Sequence, residues 1–206
     1  MPTANQDEHY IIVHRWIEKD ELDLLFRLSK AYIGSQLLSK DRQNTQNRFQ
    51  QAHDYLYHVG QAKAWLEAIV QHPVASIIDL EESLRNGIVL AEVVQKLSPE
   101  KPLRIFRDTR LQFRHTDNIA IFFRFLDLVE MPDAFRFDLI DLYERENTPK
   151  VIFCIHVLSW LLYKNGKVAF QISNLESRLF FDDIEVEATR KRLDQLGDKI
   201  PTFPTF

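Results

Sequence analysis

The chain has 206 residues, of which 45% are hydrophobic and 27% charged, and its formal net charge is −4. This length suits one hydrophobic core, the mildly acidic balance argues against a general nucleic-acid coat, and no apolar run approaches the length of a membrane span. The only cysteine, Cys154, excludes an internal disulfide and a cysteine-rich zinc site, and a cytoplasmic location is therefore expected.

The first 48 residues are expected to form an N-terminal extension. Residues 19–38, KDELDLLFRLSKAYIGSQLL, place apolar side chains on approximately one helical face. The polar stretch that follows, SKDRQNTQNR, is typical of a linker. The amphipathic helix would either dock on the following domain or mediate oligomerisation.

Two helical segments follow this extension. Residues 51–73 carry an apolar stripe that includes Trp65, and Pro73 ends the segment because proline cannot continue a helix. Residues 79–99 begin with Asp79 and Glu82 at the spacing of a capping box. Leucine, isoleucine and valine then recur every three or four residues, and Asn86-Gly87 is a possible break between a short and a longer helix.

Two further segments complete the predicted set. In residues 113–132, Thr116 or Asp117 can cap a helix whose inward face carries large apolar side chains. Residues 150–166 are apolar from 151 to 163 apart from His156 and Ser159, which is typical of a central helix buried on most sides. Strand signals are scarce, so an all-α fold is predicted. Its expected core includes Trp65, Leu84, Ile88, Phe122, Phe123, Ile155, Leu158 and Trp160.

The patterns that would indicate catalysis or metal binding are weak. His53 and His58 lie five residues apart, roughly 140 degrees around a helix, so they do not form a zinc pair. Cys154 and His156 would point about 200 degrees apart on one helix, which prevents direct proton transfer. Acidic pairs such as Glu81-Glu82 are interpreted as a cap or a solvated face. The sequence therefore predicts a protein that is not an enzyme and that uses no metal and no cofactor.

One basic stretch, KPLRIFRDTRLQFRH, spans residues 101–115. A helical conformation would project its cations as a ridge and turn Phe106 and Leu111 inward, whereas a solvated loop is the alternative. Nucleic-acid binding ranks low because the stretch is short and its surroundings are acidic. Its basic residues are Lys101, Arg104, Arg107, Arg110, Arg114 and His115, against the single acid Asp108.

Four strings resemble, in order and spacing, the four main helices of a calponin homology domain: AKAWLEAIV, DLEESLRNGIVLAEVVQKLSP, FRHTDNIAIFFRFLDLVEMP and DLYERENTPKVIFCIHVLSWLLYKNG. The variant is similar to that of IQGAP-family scaffolds, and residues 172–203 resemble the segment that follows the domain in that family. The resemblance covers roughly residues 49–206. It implies a compact fold with short connecting helices, a domain at residues 49–165, and a C-terminal extension at residues 166–206 that packs on it.

The resemblance also implies a function: lateral binding of filamentous actin, without chemistry, by a scaffold that in fungi organises the contractile ring. The family uses surfaces around the first and last main helices, which correspond to residues 61–71 and 149–164. Calmodulin or light chains are expected to bind regions outside this chain, and neither nucleic acid nor membrane insertion is expected. The candidate actin contacts are Lys63, Arg104, Arg107, Arg110, Lys150 and Lys164.

Two alternatives stay open at this point. Single calponin homology domains do not all bind actin, so this one could bind microtubules or dock another protein. Residues 19–38 could instead form a dimer that uses the domain as a spacer.

Overall fold

The structure is a computed structural model that describes residues 45–100, 102–108, 110, 112–172, 179–197 and 200–203, together with Arg27. The rest of the predicted amphipathic helix at 19–38 and residues 39–44 of the predicted linker lie outside the described residues. Within the described part all regular secondary structure is helical, which confirms the all-α prediction. The α-helices are α1 (Thr45–Val70), α2 (Leu80–Leu84), α3 (Ile88–Leu97), α4 (His115–Leu128), α5 (Leu139–Tyr143), α6 (Thr148–Lys164) and α7 (Asp183–Leu196), and 3-10 turns span Gln112–Arg114 and Asp133–Phe135.

Helix α1 begins before the predicted segment. Its first residue is Thr45, so the prediction that residues 45–48 belong to a linker is wrong. The helix ends where Gln71 adopts a left-handed backbone with φ 63°, two residues before Pro73. Trp65 lies on its buried face.

The predicted break at Asn86-Gly87 divides helices α2 and α3. Gly87 has φ 67°, and a Cβ there would lie 2.8 Å from both the Asn118 Cβ and the Ile119 backbone nitrogen. Because of this break, the apolar face of α2 does not continue in register along α3. Ile88 is therefore only half-buried, contrary to prediction, while Leu90 and Val93 join Leu84 in the core.

The predicted capping box at the start of α2 is absent. Asp79 does occupy the N-cap position, but its carboxylate accepts a hydrogen bond from the Ser76 hydroxyl at 2.7 Å rather than from the helix backbone. The prediction failed because Ser76, three residues earlier, competes for the same carboxylate.

Helix α4 begins at His115, before the predicted caps. The Thr116 hydroxyl donates to the Phe113 carbonyl and the Asp117 carboxylate pairs with Arg114, so neither side chain caps the helix. On the predicted inward face Ile119, Phe122 and Leu126 are buried, whereas Phe123 is half-buried with its ring against Phe137. The 3-10 turn at residues 112–114 runs directly into α4, so helical structure begins before both predicted caps.

Helix α6 forms the centre of the core. Every residue from 151 to 162 is buried, including Ile155, Leu158 and Trp160. Asn147 caps its N-terminus by accepting from the Lys150 backbone nitrogen at 3.3 Å. Helix α6 packs against α1 and α5, and α3 lies between α1 and α4.

Residues 179–197 and 200–203 form a segment that we call the C-terminal arm. Its helix α7 runs antiparallel along the first half of α1, because Asp194 pairs with Arg48 while Leu179 lies at Gly60. A Cβ at Gly60 would overlap the end of the Leu179 side chain, which would have to shift to accommodate it. Phe203 stacks on His58 with ring centroids 4.2 Å apart.

Candidate functional site

Cys154 and His156, considered above as a nucleophile and its base, are both inert. Burial raises the pKa of the Cys154 thiol to about 12 and lowers the pKa of His156 to about 3. The His156 Nε2 faces the His58 carbonyl oxygen at 3.0 Å, to which it donates. A thiol and a neutral imidazole held in this way are packing residues, and they provide no activated nucleophile. The described residues contain no cluster of three or more His, Cys, Asp or Glu that could hold a metal ion.

Glu81 is buried, which corrects its interpretation as part of a cap or solvated face. Its carboxylate accepts from the Tyr55 hydroxyl at 2.5 Å and pairs with Arg192 of the C-terminal arm at 2.6 Å. Burial, followed by the charge of Glu81, raises the pKa of Tyr55. These three residues therefore tie α1, α2 and α7 together, and their role is structural.

Of the two conformations left open for the basic stretch, residues 102–108 adopt the loop, and helical structure begins only with the 3-10 turn at residues 112–114. Residues 102–108 have no regular secondary structure, and the Leu103 and Phe106 backbone nitrogens donate to Gln95 Oε1 at 2.6 Å and Asn118 Oδ1 at 2.9 Å. Phe106 is half-buried rather than fully inward, while Leu111 and Lys101 lie outside the described residues. These hydrogen bonds to α3 and α4 oppose the helical backbone that a repeat of three would favour.

Asn118 positions this loop, and sequence reasoning missed it. Its side chain is fully buried and donates to the carbonyl oxygens of Asn86 and Phe106, both at 2.9 Å, in addition to accepting from Phe106. The available signal was an amide side chain at the start of an otherwise apolar helical face. A buried amide in such a place needs partners, and here the loop provides them.

The arginines of the loop fall into two groups. Arg107 pairs with Glu92 of α3, and Arg110 pairs with Asp108 at 2.9 Å. Arg104 and Arg114 place their guanidinium groups over the Phe106 ring, 4.9 and 4.5 Å from its centroid, and Arg114 also pairs with Asp117. Arg104 has no carboxylate partner within the described part of the chain, so it presents the least compensated charge of the four.

Glu92 connects this loop with the C-terminal end of α1. One of its carboxylate oxygens pairs with Arg107, and the other lies 3.0 Å from the His72 Nε2. One turn further along α3, the Lys96 amine lies 3.4 Å from Gln71 Oε1. The structure thereby brings the loop arginines beside the predicted first-helix region, residues 61–71. We define the basic surface as His72, Lys96, Arg104, Arg107, Arg110 and Arg114.

The three candidate lysines are not gathered at one place. Lys63 pairs with Glu67 one turn along α1, and Lys150 contacts the carboxylates of Asp138 at 3.3 Å and Asp141 at 2.9 Å. Lys164 is exposed at the end of α6, roughly 20 Å along that helix from Lys150. Lys150 therefore serves as a structural link between α5 and α6, at the opposite end of α6 from Lys164.

Among the described helices, none combines the length and apolar character that crossing a membrane would require.

Comparison with known proteins agrees with this architecture. The family model for the calponin homology (CH) domain matches residues 58–164. The chain is 42% identical over 153 residues to the Ras GTPase-activating-like protein rng2 of Schizosaccharomyces pombe, covering 74% of this chain and 10% of that protein. It is 34% identical over 182 residues to human IQGAP2, covering 84% of this chain and 12% of that protein. The chain thus spans about a tenth of the length of these relatives.

Solved structures give the same result. The calponin homology domain of an IQGAP protein from Schizosaccharomyces pombe superposes with a TM-score of 0.71 at 40% identity, over 76% of this chain and 98% of that one. A crystal structure of the calponin homology domain of Rng2 gives 0.69 at 39% identity, over 76% of this chain and 96% of that one. Fold, sequence and order of helices therefore agree, and the chain belongs to the calponin homology domain family, in the form found in IQGAP-family scaffolds.

Proposed function

We propose that this chain binds laterally to actin filaments, without chemistry, as the calponin homology domain of a cytoplasmic scaffold at the contractile ring of dividing cells. The observation that carries the proposal is the basic surface, which lies beside the C-terminal end of α1. Calmodulin or light chains would bind regions of such a scaffold outside these 206 residues.

The basic surface has the properties of an electrostatic contact. Its side chains are partly neutralised by Glu92 and Asp108, yet the Arg107 and Arg110 side chains remain 64% and 88% exposed. Exposed arginines of this kind steer an acidic partner and fix its register, and their contribution falls as salt rises. The Phe113 side chain, 65% exposed beside the Arg114 guanidinium, adds apolar contact area.

The six candidate residues have different roles in the proposed contact. Arg104, Arg107 and Arg110 form the central contact, and Lys63 flanks it on α1. Lys164 would contribute only if the filament reaches the end of α6. Lys150 is assigned a structural role, because a reversed charge there would face Asp138 and the buried Asp141.

Co-sedimentation with actin filaments tests the proposal. In the double variant Arg104→Glu/Arg107→Gln the basic surface loses three units of charge, and glutamine avoids placing a carboxylate against Glu92. We expect pelleting to weaken by about tenfold or more at low salt, with a smaller salt dependence than in the unaltered chain. The control is Lys191→Gln, which removes one exposed charge from the C-terminal arm without placing a carboxylate against Glu187.

Circular dichroism and the melting temperature of each variant separate lost contact from lost folding. Equal pelleting of the double variant and the control would remove the basic surface from the filament contact. Pelleting of the unaltered chain with microtubules but not with actin filaments would replace the proposal by the microtubule alternative.

A further inference from the structure

His72 makes contacts that a neutral imidazole cannot satisfy on both sides. Its Nδ1 lies 3.0 Å from the Pro73 carbonyl oxygen, and its Nε2 lies 3.0 Å from a Glu92 carboxylate oxygen. Both oxygens only accept hydrogen bonds, whereas a neutral imidazole carries a single N–H. Two simultaneous hydrogen bonds therefore require the doubly protonated ring, the imidazolium.

The charged groups around His72 favour this form on balance. Glu92 of α3 is in direct contact, while Arg107 of the basic loop shares the same carboxylate and opposes a second positive charge. Lys96 of α3 lies against the neighbouring Gln71, and Glu67 of α1 is already occupied by Lys63 and the Val74 backbone nitrogen. The hydrogen bond to Pro73 and then the bond to Glu92 raise the pKa of His72.

The His72 side chain is also placed where a partner can reach it. It is 48% exposed, and through Glu92 it adjoins Arg107 at the centre of the basic surface. When the ring is neutral, Glu92 and Arg107 cancel each other, and this group of three carries no net charge. When the ring is protonated, the same group carries one positive charge.

We infer that His72 is a contact residue of the proposed filament-binding surface and that its protonation makes binding tighter at mildly acidic pH. The inference rests on the proposed function. It adds a residue outside the six candidates and predicts how the same surface responds to proton concentration.

The test is co-sedimentation of the full chain with actin filaments at about pH 6.0 and pH 7.5, using His72→Gln as a neutral variant and His72→Arg as a permanent cation. We expect the unaltered chain to bind about threefold tighter at the lower pH, the size of effect that one exposed charge gives. His72→Gln should lose this difference, and His72→Arg should bind tightly at both values. His53→Gln, on α1 and beside the C-terminal arm, is the control and should keep the difference.

Because all variants are compared on the same filaments, any effect of pH on actin itself is the same for each of them. An identical pH response in the unaltered chain and in His72→Gln would overturn this inference and leave the proposed function standing. Absence of pelleting at both pH values, with His72→Arg included, would overturn the proposed function and the inference together. An NMR titration of the His72 ring should give a pKa above the ordinary value of about 6.5, and a value at or below it would also overturn the inference.

Discussion

Two histidines of this domain lie in opposite electrostatic surroundings. His72 stands in solvent between a carbonyl and a carboxylate, which stabilise its positive charge. His156 is buried in α6, where its ring meets those of His58 and Phe203 at centroid distances of 5.3 and 5.1 Å. The surroundings of His72 therefore stabilise the charged imidazole, whereas the surroundings of His156 destabilise it.

The buried His156 predicts that the domain loses stability on acidification. The pKa of His156 is about 3 in the folded state, below the 6.5 of an unperturbed histidine. As pH falls below about 6.5, the unfolded chain therefore binds a proton at this residue, whereas the folded chain does not. The free energy of unfolding should fall by about 2 kcal/mol between pH 7 and pH 5 from this residue alone. Urea denaturation at the two pH values measures it.

The matched variant is His156→Gln, whose amide can still donate to the His58 carbonyl but does not titrate. Its loss of stability between the two pH values should be smaller than that of the unaltered chain by about the same 2 kcal/mol. Burial also lowers the pKa of His58, but that contribution is common to both proteins. Equal losses in the two proteins would contradict the assignment to His156.

At the level of helices, the sequence predicted those features that depend on residue type within one segment. The apolar run of α6 and the break at Gly87 were predictable, because both follow from residue type at a single position or within one segment. The face of α3 was predicted only in part: Ala91 and Val94 are buried as the periodicity predicts, whereas Ile88, directly after the break at Gly87, is half-buried. The sequence left a loop and a helix open for residues 102–108, since the hydrogen bonds that decide between them come from Gln95 and Asn118 on other helices.

The candidate site shows the same limit. Its arginines are visible in the sequence as a cluster, and three of them recur at steps of three. His72 and Glu92 are twenty residues apart and meet only because α1 packs against α3. Their pairing depends on tertiary contact, so no motif could have indicated that they belong to the same surface as Arg107.

Two glycines with similar backbone geometry allow a test of how α3 and α4 fit together. Gly87→Ala would force a side chain to φ 67° and press its Cβ against Asn118 and Ile119 of α4, so we expect a loss of about 3 kcal/mol or more in the free energy of unfolding. Gly166→Ala has φ 63° but no atom within 4 Å, so only the backbone strain of about 1 kcal/mol applies. Chemical denaturation of both variants gives the comparison, and equal losses would mean that the close approach between α3 and α4 contributes nothing.

Across the whole molecule, the domain is larger than the part that the family model matches. The match spans residues 58–164, but α1 begins thirteen residues earlier and α7 lies beyond the match. These outer parts pack on each other, through Arg48 with Asp194 and through Tyr55 with Glu81 and Arg192. Phe203 then covers His58 and His156. We therefore propose that the folding unit includes the C-terminal arm as well as the central helices.

A fragment limited to residues 58–164 should consequently fail to fold cooperatively. It would lack Tyr55 and Arg192, leaving the buried Glu81 carboxylate without either partner, and it would expose the faces of α1 and α6 that Phe203 covers. The fragment thereby loses the buried contacts of Glu81 and the apolar burial by Phe203 and the first half of α1, and losses of a few kcal/mol are a large share of the total stability of a domain this size. Thermal unfolding followed by circular dichroism should show a broad or absent transition for this fragment and a sharp one for a fragment of residues 45–206, which retains all the described helices. A sharp transition for residues 58–164 at the temperature of the longer fragment would show that the arm is an appendage, because the core would then be complete without the contacts that Glu81 and Phe203 make.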